Sequence, residues 1–526
     1  MFLTVMRWVL PRSASRAAAF AAIGAVALTV IVRALTLAGP ARPLDADEAI
    51  TGLMARGILD GTFPIFFGNQ NYQGALEQYL QAPLMAIAPG SAVALRIVQV
   101  ALCALIAWLV YLLGARVCRS PWGGVLAATL YAVGPYYSVL KGVRSHGGYD
   151  MAIVAGLTLT LLALSFSAAS PRARWYALAM GLAAGVGIWE NPTAIYLLLP
   201  AGLWAIASAR GHLRQLVPWA TGGLALGLAP VFIDWANRGV SLPLAGGPAP
   251  TPSSFIDRLS GLASPVLSQF LGVKDANPAI NPGIPSALVA GSAVVALGVA
   301  VWLRRRGLWS LLTIRRSNRM PIDIVILTFL ITPFIYAASS FTWFVQEPRY
   351  VFTLYPYLAI ALAAAAFAVR APTMRVTVAV CLVAASALLL GTALVRANTS
   401  GAGMYSADGS PVHSHEAPAV LSKMQRLGIR HAYANYWIAA PLQFTAGASP
   451  VVAPLDAGTA TGHTLAVVAR EASPAVIAAD GPSAITTEDT LRRGGHAFTR
   501  HPVGHFVIFS DIAPPWRPAG KIPLTQ

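Results

Sequence analysis

The chain has 526 residues, of which 56% are hydrophobic and only 11% are charged. A water-soluble protein of this length would need many more charged side chains on its surface, so this composition excludes one. Repeated apolar runs of about 17–25 residues instead predict membrane-spanning helices. The formal net charge of +17 does not indicate nucleic-acid binding, because the basic residues lie in short clusters between these runs.

The apolar runs predict eleven spans, and the loop charges predict their orientation. Basic clusters such as Arg304-Arg305-Arg306 fall in every second loop, which is the positive-inside pattern. This pattern predicts a cytoplasmic amino terminus and a carboxyl terminus on the outer side. The predicted spans cover about 17–38, 92–114, 121–140, 150–169, 175–189, 193–209, 216–234, 285–303, 321–340, 350–369 and 375–395.

The spans divide the chain into two predicted domains. Residues 1–395 form a polytopic α-helical membrane domain, whose first outer loop covers 39–91. Residues 396–526 form a small extracytoplasmic α/β domain, because helical and strand patterns alternate there. We expect helices over 419–427, ended by Gly428, and from about Thr486 to Gly494-Gly495, with strands at Pro450–Leu455, Thr464–Ala469, Ala475–Ala479 and Phe506–Phe509.

An acidic cluster, Asp45-Ala46-Asp47-Glu48, follows the first span on the predicted outer side. Carboxylates beside a bilayer are costly unless they are solvated, paired or used, so this cluster is a candidate functional site. Catalysis is the favoured interpretation. An Asp-x-Asp metal pair and a solvated loop are the alternatives.

Other polar groups reach the same predicted face from distant parts of the chain. They are Lys141, Arg144, His146, Asp150, Glu190-Asn191, Asp234 and Arg349-Tyr350. Acids and cations at one membrane depth suit sugar transfer from a lipid-phosphate carrier. A carboxylate can accept the proton of the acceptor, and Arg or Lys can stabilise the departing phosphate.

Four segments carry a resemblance to a known family. They are Asp47-Glu48, the stretch from Tyr72 to Pro83 with Gly74-Ala75-Leu76-Glu77-Gln78-Tyr79-Leu80, the run Arg349-Tyr350-Val351-Phe352-Thr353-Leu354-Tyr355-Pro356, and Tyr436-Trp437-Ile438-Ala439. In order and sidedness they resemble the GT-C-type glycosyltransferases, in the branch of the protein O-mannosyltransferases and the bacterial lipid A aminoarabinose transferases. At Gln73-Gly74 the chain departs from many aminoarabinose-transferase-like members, which have His and Pro, so the sugar and acceptor stay open.

The resemblance implies roles for several residues. It implies that Asp47 is the catalytic base, that Glu48 orients or tunes it, and that Arg349 and Tyr350 lie near the donor phosphate. Arg349 could instead anchor a helix end. Topology alone adds Lys141 and Arg144 as phosphate-binding candidates, and the further site candidates are Asp45, Glu77, Glu190 and Asn191.

No cofactor is predicted, although the residue types leave a divalent metal open. His413-Ser414-His415-Glu416, and His501 with His505, contain metal-binding residue types. We expect no metal there, because no firm secondary-structure context supports one.

The leading functional prediction is a polyprenyl-phosphate-dependent glycosyltransferase of the bacterial inner membrane. Its expected partners are a polyprenyl-phosphate-linked sugar donor, a lipid, glycan or protein acceptor, and membrane lipids. A transporter or lipid flippase, and a non-catalytic cell-envelope membrane subunit, are the alternatives. A transporter is disfavoured because few ionisable groups lie within the predicted spans, Arg33 being the clearest.

Overall fold

The computed structural model describes residues 16–39, 43–70, 72–238, 254–275, 280–340, 342, 348–399, 413–455 and 462–518. Helices make up the described structure up to residue 399, and a five-stranded sheet with helices follows residue 413. Parts of the predicted second outer segment, and the start of the predicted tail domain, lie outside the described residues. The predicted fold class, a polytopic helical protein with a small carboxyl-terminal α/β domain, is confirmed.

The helices of the larger region are named here in chain order. They are α1 (Arg16–Ala38), α2 (Ala46–Leu59), α3 (Leu76–Ile87), α4 (Ala92–Val117), α5 (Pro121–Ala132), α6 (Tyr136–Gly142), α7 (Tyr149–Ser165), α8 (Ala173–Glu190), α9 (Ile195–Ala209), α10 (Leu213–Gly227), α11 (Ala229–Arg238), α12 (Phe255–Gly261), α13 (Leu267–Phe270), α14 (Ser286–Leu312), α15 (Ile322–Ala338), α16 (Tyr355–Ala368) and α17 (Pro372–Thr399). A 3-10 turn, Arg349–Leu354, leads directly into α16.

Six helices among the described residues are long and apolar enough to cross a membrane, and a seventh is added if α10 and α11, bent by 57°, count as one span. The shorter helices α7 and α15 are also apolar. The predicted number of eleven spans therefore stays a prediction. A multi-pass membrane protein is nevertheless clear from these helices.

Two predicted spans differ from the observed helices. The predicted span at 121–140 is divided between α5 and α6, because Pro135 has no N–H to continue the helical hydrogen bonds. The span predicted to end at 303 continues to Leu312 as α14, through the Arg cluster. Arg304 pairs there with the buried Asp323 of α15, Nε to Oδ1 at 2.7 Å, so its charge is compensated within the helix pair.

Glycines allow α8 and α10 to pack at close range. A Cβ built on Gly181 would lie 2.0 Å from the carbonyl oxygen of Ala220, and one on Gly223 would lie 2.0 Å from that of Leu178. Such contacts are possible only without a side chain. Lipid tails provide little hydrophobic drive between membrane helices, so close packing of small residues supplies the attraction.

Substituting Gly223 with alanine should therefore push α8 and α10 apart. We expect Gly223→Ala to destabilise the protein by about 1–3 kcal/mol, as overpacking does. Gly222→Ala is the matched control, because a Cβ at Gly222 meets no atom within 4 Å. Thermal unfolding of both variants in detergent micelles would test this, and equal melting temperatures would contradict the packing argument.

The carboxyl-terminal domain is an α/β sheet domain. Its elements are α18 (Ala417–Arg426), β1 (His431–Ala434), α19 (Tyr436–Ala446), β2 (Val451–Pro454), α20 (Gly462–Ala469), β3 (Ala475–Ala479), α21 (Pro482–Arg493), β4 (Ala497–Val503) and β5 (Phe506–Ala513). The strand order is β2-β1-β3-β5-β4. Strands β2 and β3 flank β1 in parallel, and β5 is antiparallel to both β3 and β4.

The predicted helix before Gly428 and the strand Ala475–Ala479 are confirmed, and Gly428 has a φ of +69°. The strand predicted at Thr464–Ala469 is wrong, because this run belongs to the helix α20. The physical reason is topological. Strands β2 and β3 are both parallel to β1, so the chain between them must cross over the sheet, and a helix is the usual crossover.

The carboxyl-terminal domain docks on α2 through α19. Gly52 in α2 makes room for the ring of Phe444, since a Cβ there would lie 2.2 Å from it. The Arg56 guanidinium covers the same ring, with its carbon 4.4 Å from the ring centroid. Buried Ile50, Leu95 and Ala440 complete this apolar contact. The domain is thus held against the loop that follows α1.

Candidate active site

Local hydrogen bonds build the first turn of α2, which carries the acidic cluster. Asp45 is the N-cap, and its carboxylate accepts a hydrogen bond from the Asp47 N–H at 2.9 Å. The Glu48 carboxylate accepts in return from the Asp45 N–H at 3.3 Å. This reciprocal capping satisfies backbone donors that would otherwise lack partners. It leaves the Asp47 carboxylate as the member of the cluster that is not used to cap the helix.

Glu48 is buried and pairs with Arg96 of α4. The guanidinium donates from Nε to Oε1 at 2.7 Å and from Nη2 to Oε2 at 2.8 Å. Arg96 also donates to the carbonyl oxygen of Pro43 at 3.2 Å. Such a forked pair restricts both distance and orientation. These contacts hold the start of α2 against a long membrane helix, and the predicted role of Glu48 in orienting or tuning Asp47 stays a prediction.

Arg144 lies behind the acidic cluster. Its Nη1 is 3.6 Å from Oδ2 of Asp45, and its Nη2 donates to the carbonyl oxygen of Pro43 at 3.4 Å. The residue is only 2% exposed. These contacts use Arg144 to hold the loop before α2. Its predicted role in binding phosphate stays a prediction.

Asp47 is partly buried, and its carboxylate accepts a hydrogen bond from the hydroxyl of Tyr436 in α19 at 2.7 Å. Burial and the charge of Asp45 raise the pKa of Asp47, while Arg349, the Tyr436 hydroxyl and Lys141 lower it, and the net direction is upward. A carboxylate with a raised pKa is a stronger proton acceptor than an ordinary aspartate. Asp47 therefore has the setting of a general base.

Two of the predicted cations, carried by two other elements, interact electrostatically with Asp47. Lys141 lies at the end of α6, with Nζ 6.0 Å from the centroid of the Tyr137 ring, and Arg349 begins the 3-10 turn before α16. Both cations act electrostatically on Asp47. Burial raises the pKa of Tyr72 to about 12, and Arg349 and Asp47 also act on this hydroxyl. Tyr72 thus joins the same group of side chains.

Tyr350 and His146 have packing contacts beside this group. The Tyr350 ring meets Tyr336 edge to face, with centroids 6.3 Å apart. His146 is buried, with Nδ1 2.8 Å from the carbonyl oxygen of Arg144 and its ring stacked on Tyr149. Burial, with the Lys141 charge, lowers the pKa of His146 to about 3, so this imidazole is neutral at ordinary pH.

Glu77 lies in a buried polar layer formed by one face of α3. Its Oε2 accepts hydrogen bonds from Ser145 Oγ at 2.8 Å and from Gln99 Nε2 at 3.0 Å. Burial raises its pKa. Gln78 and Gln81 are fully buried on the same helix, and their amide groups have no hydrogen-bond partner among the described residues. Buried amides without partners can form hydrogen bonds with hydroxyl groups of a ligand or with water.

Glu190 and Asn191 hold the loop before α3 in place. The carbonyl oxygen of Glu190 accepts from the Gly74 N–H at 2.9 Å, and its Oε1 accepts from the Leu76 N–H at 3.2 Å. Asn191 Nδ2 donates to the carbonyl oxygen of Gly147 at 3.0 Å. A Cβ on Gly74 would lie 2.2 Å from Oε1 of Glu190, so glycine is required there. The departure from the family pattern at Gln73-Gly74 thus has a local structural cause.

The structure therefore brings Asp47, Lys141 and Arg349 together and surrounds them with residues that hold loops. Sequence reasoning did not assign Tyr436 to the site, although its segment was one of the family-like motifs. Nothing local pairs residue 436 with residue 47. A partner for Arg96 was easier to expect from the sequence, because a charged residue in an apolar helix needs a buried partner.

The pair of Glu48 and Arg96 gives a prediction about stability. Arg96→Met should leave the Glu48 carboxylate buried without its counter-ion, which costs about 3–5 kcal/mol. The double variant Glu48→Gln with Arg96→Met removes both charges and should regain most of that loss. Melting temperatures in detergent micelles would measure both effects. A double variant that melts as low as Arg96→Met would rule out the unpaired charge as the cause.

Comparisons with known proteins find one matching family model and several solved structures of similar fold. The family model described as dolichyl-phosphate-mannose-protein mannosyltransferase matches residues 74–235. The crystal structure of ArnT from Cupriavidus metallidurans bound to undecaprenyl phosphate aligns with a TM-score of 0.57 at 12% identity, covering 94% of this chain and 98% of ArnT. Its apo structure aligns with a TM-score of 0.54 at 11% identity, covering 93% and 98%.

The apo oligosaccharyltransferase of Archaeoglobus fulgidus aligns with a TM-score of 0.43 at 13% identity, covering 86% of this chain and 69% of that protein. No curated protein sequence matches the chain. The fold is the one seen in ArnT, and the family match falls on α3 to α11, beside the candidate site. The match to a mannosyltransferase family model and the ArnT-like fold are the findings expected of the predicted class, a GT-C-type membrane glycosyltransferase.

Proposed function

We propose that the chain transfers a sugar from a polyprenyl-phosphate-linked donor to an acceptor on the extracytoplasmic side of the bacterial inner membrane. Two comparisons support the donor class. ArnT, which shares the fold, has been crystallised with undecaprenyl phosphate, and the matching family model is described by a dolichyl-phosphate-linked mannose. The acceptor is a lipid, a glycan or a protein.

One observation carries this proposal, namely the surroundings of Asp47. Its partly buried carboxylate has a raised pKa, is held by the Tyr436 hydroxyl, and lies within the electrostatic reach of Arg349 and Lys141. An acid with two neighbouring cations provides both functions that the transfer needs. One group accepts a proton, and the others stabilise a departing anion.

These groups account for the bonds, the proton and the leaving group of the transfer. An acceptor hydroxyl or amine forms a bond to the anomeric carbon, and the bond from that carbon to the phosphate oxygen breaks. Asp47 takes the proton of the acceptor. The bonding electrons leave with polyprenyl phosphate, whose charge Arg349 and Lys141 stabilise. The buried amides of Gln78 and Gln81 are suited to sugar hydroxyls.

The alternatives are less well supported. A transporter is expected to place ionisable groups at a midplane site. Arg33, the clearest charge within a described span, instead donates to the carbonyl oxygen of Ala132 at 2.5 Å and of Tyr131 at 3.4 Å. These bonds from Nη1 and Nη2 join α1 to α5. A non-catalytic subunit would tolerate neutral residues at both Asp47 and Arg349.

Removing the Asp47 charge tests the proposal directly. Asp47→Asn should lower transfer by about 100-fold or more, because the amide cannot accept the proton. The assay measures polyprenyl phosphate released from a synthetic polyprenyl-phosphate sugar by purified protein mixed with cell-envelope acceptors. Asp60→Asn, at the exposed far end of α2, is the control and should keep full activity.

Undiminished release by a folded Asp47→Asn protein would remove the assignment of the base. Movement of the donor across vesicle membranes without any release would favour the flippase instead. Mass spectrometry of envelope glycans from a deletion strain would identify the sugar and acceptor that are lost.

The hydrogen bond from Tyr436 predicts a change in pH dependence. This bond lowers the pKa of Asp47, so Tyr436→Phe should raise it further. Because the base acts in its ionised form, the acidic limb of the kcat/KM profile should move to higher pH. Tyr433→Phe is the control, since that buried hydroxyl has no hydrogen-bond partner among the described residues. An acidic limb that stays in place, or moves to lower pH, would contradict the role of Tyr436.

A further inference from the structure

Three imidazoles and one carboxylate lie close together in the carboxyl-terminal domain. None of these side chains is assigned to sugar transfer. His413, His415 and Glu416 lie at the turn that precedes α18, and His505 lies between β4 and β5. Glu416 Oε1 is 3.7 Å from Nε2 of His415 and 2.5 Å from Nδ1 of His505. The rings of His413 and His505 stack with centroids 3.7 Å apart and planes inclined by 2°.

Against the expectation from the sequence, we propose that His413, His415 and Glu416 bind a divalent transition metal of the zinc type. One ligand atom from each of these residues can be chosen so that all three lie within 4.8 Å of one another. Two imidazole nitrogens and a carboxylate oxygen form a ligand set that zinc accepts, and water fills the fourth position. The three ligands lie within four residues of sequence, so little chain rearrangement is needed to close the site.

His505 orients the carboxylate from the other side. Its backbone N–H donates to Oε2 of Glu416 at 2.8 Å, and its Nδ1 bonds to Oε1. Outer hydrogen bonds of this kind commonly orient metal ligands. The preceding Gly504 has a φ of +56°, and a Cβ there would lie 2.0 Å from Oε2 of Glu416, so the turn is shaped around this carboxylate.

The cluster connects two parts of the domain that lie 89 residues apart. A bound metal would hold the turn before α18 rigid while His505 ties that turn to the β4–β5 turn. A metal that binds only the folded state of the domain would stabilise that state by mass action. None of these residues is assigned to sugar transfer, and the test measures zinc binding and stability, so it does not depend on that activity.

Zinc titration of the full-length protein tests this proposal. Protein purified in detergent and stripped by a chelator should bind roughly one zinc ion per chain by calorimetry, and its melting temperature should rise with zinc. His415→Asn should weaken binding by about tenfold or more and abolish the rise in melting temperature. The side chain of His415 is 55% exposed, so this variant should fold.

His501→Asn is the matched control. His501 lies on β4, where Nε2 is 2.9 Å from Ser510 Oγ, outside the cluster. This variant should bind zinc as the unmodified protein does. Failure of the unmodified protein to bind zinc would overturn the proposal. The proposal would also be overturned if His415→Asn and Glu416→Gln both bound zinc as tightly as the unmodified protein does, because the metal would then lie elsewhere.

Discussion

The buried ion pair between Glu48 and Arg96 is the interaction on which the candidate site depends. It joins the first turn of α2 to a long membrane helix, and the capping bonds of Asp45 set the direction of that turn. Two of the three acids in the cluster are thereby used to position the third. Asp47 owes its location to this division of roles, because a carboxylate on an unanchored loop would be solvated and held in no single orientation.

A second constraint comes from the carboxyl-terminal domain. Phe444 packs into the space left by Gly52, and this contact brings Tyr436 to the Asp47 carboxylate. The domain therefore supplies part of the environment of the proposed base. Cations arrive from two further elements, at Lys141 and Arg349, so the group draws on four separate parts of the chain. Such convergence suits the proposed transfer, in which one group accepts a proton and the cations stabilise a departing phosphate.

The sequence predicted the membrane class and the helical fold because these depend on local signals, namely apolar run length and loop charge. The catalytic role of Asp47 rests on a family-like motif and stays a prediction. The sequence did not predict contacts between distant segments. The bond between Tyr436 and Asp47 arises from the docking of α19, and no local pattern encodes that docking. The helix α20 was mistaken for a strand for a similar reason, since an apolar run of six residues fits both periods and only the sheet topology decides.

The position of Tyr436 in α19 has a consequence for biosynthesis. A ribosome makes Asp47 389 residues before the phenol that binds it. Throughout elongation the nascent chain holds the carboxylate without this partner. The bond between Tyr436 and Asp47 forms only after α19 has been made and has folded against α2. Translation order thus delays maturation of the site until the membrane helices already exist.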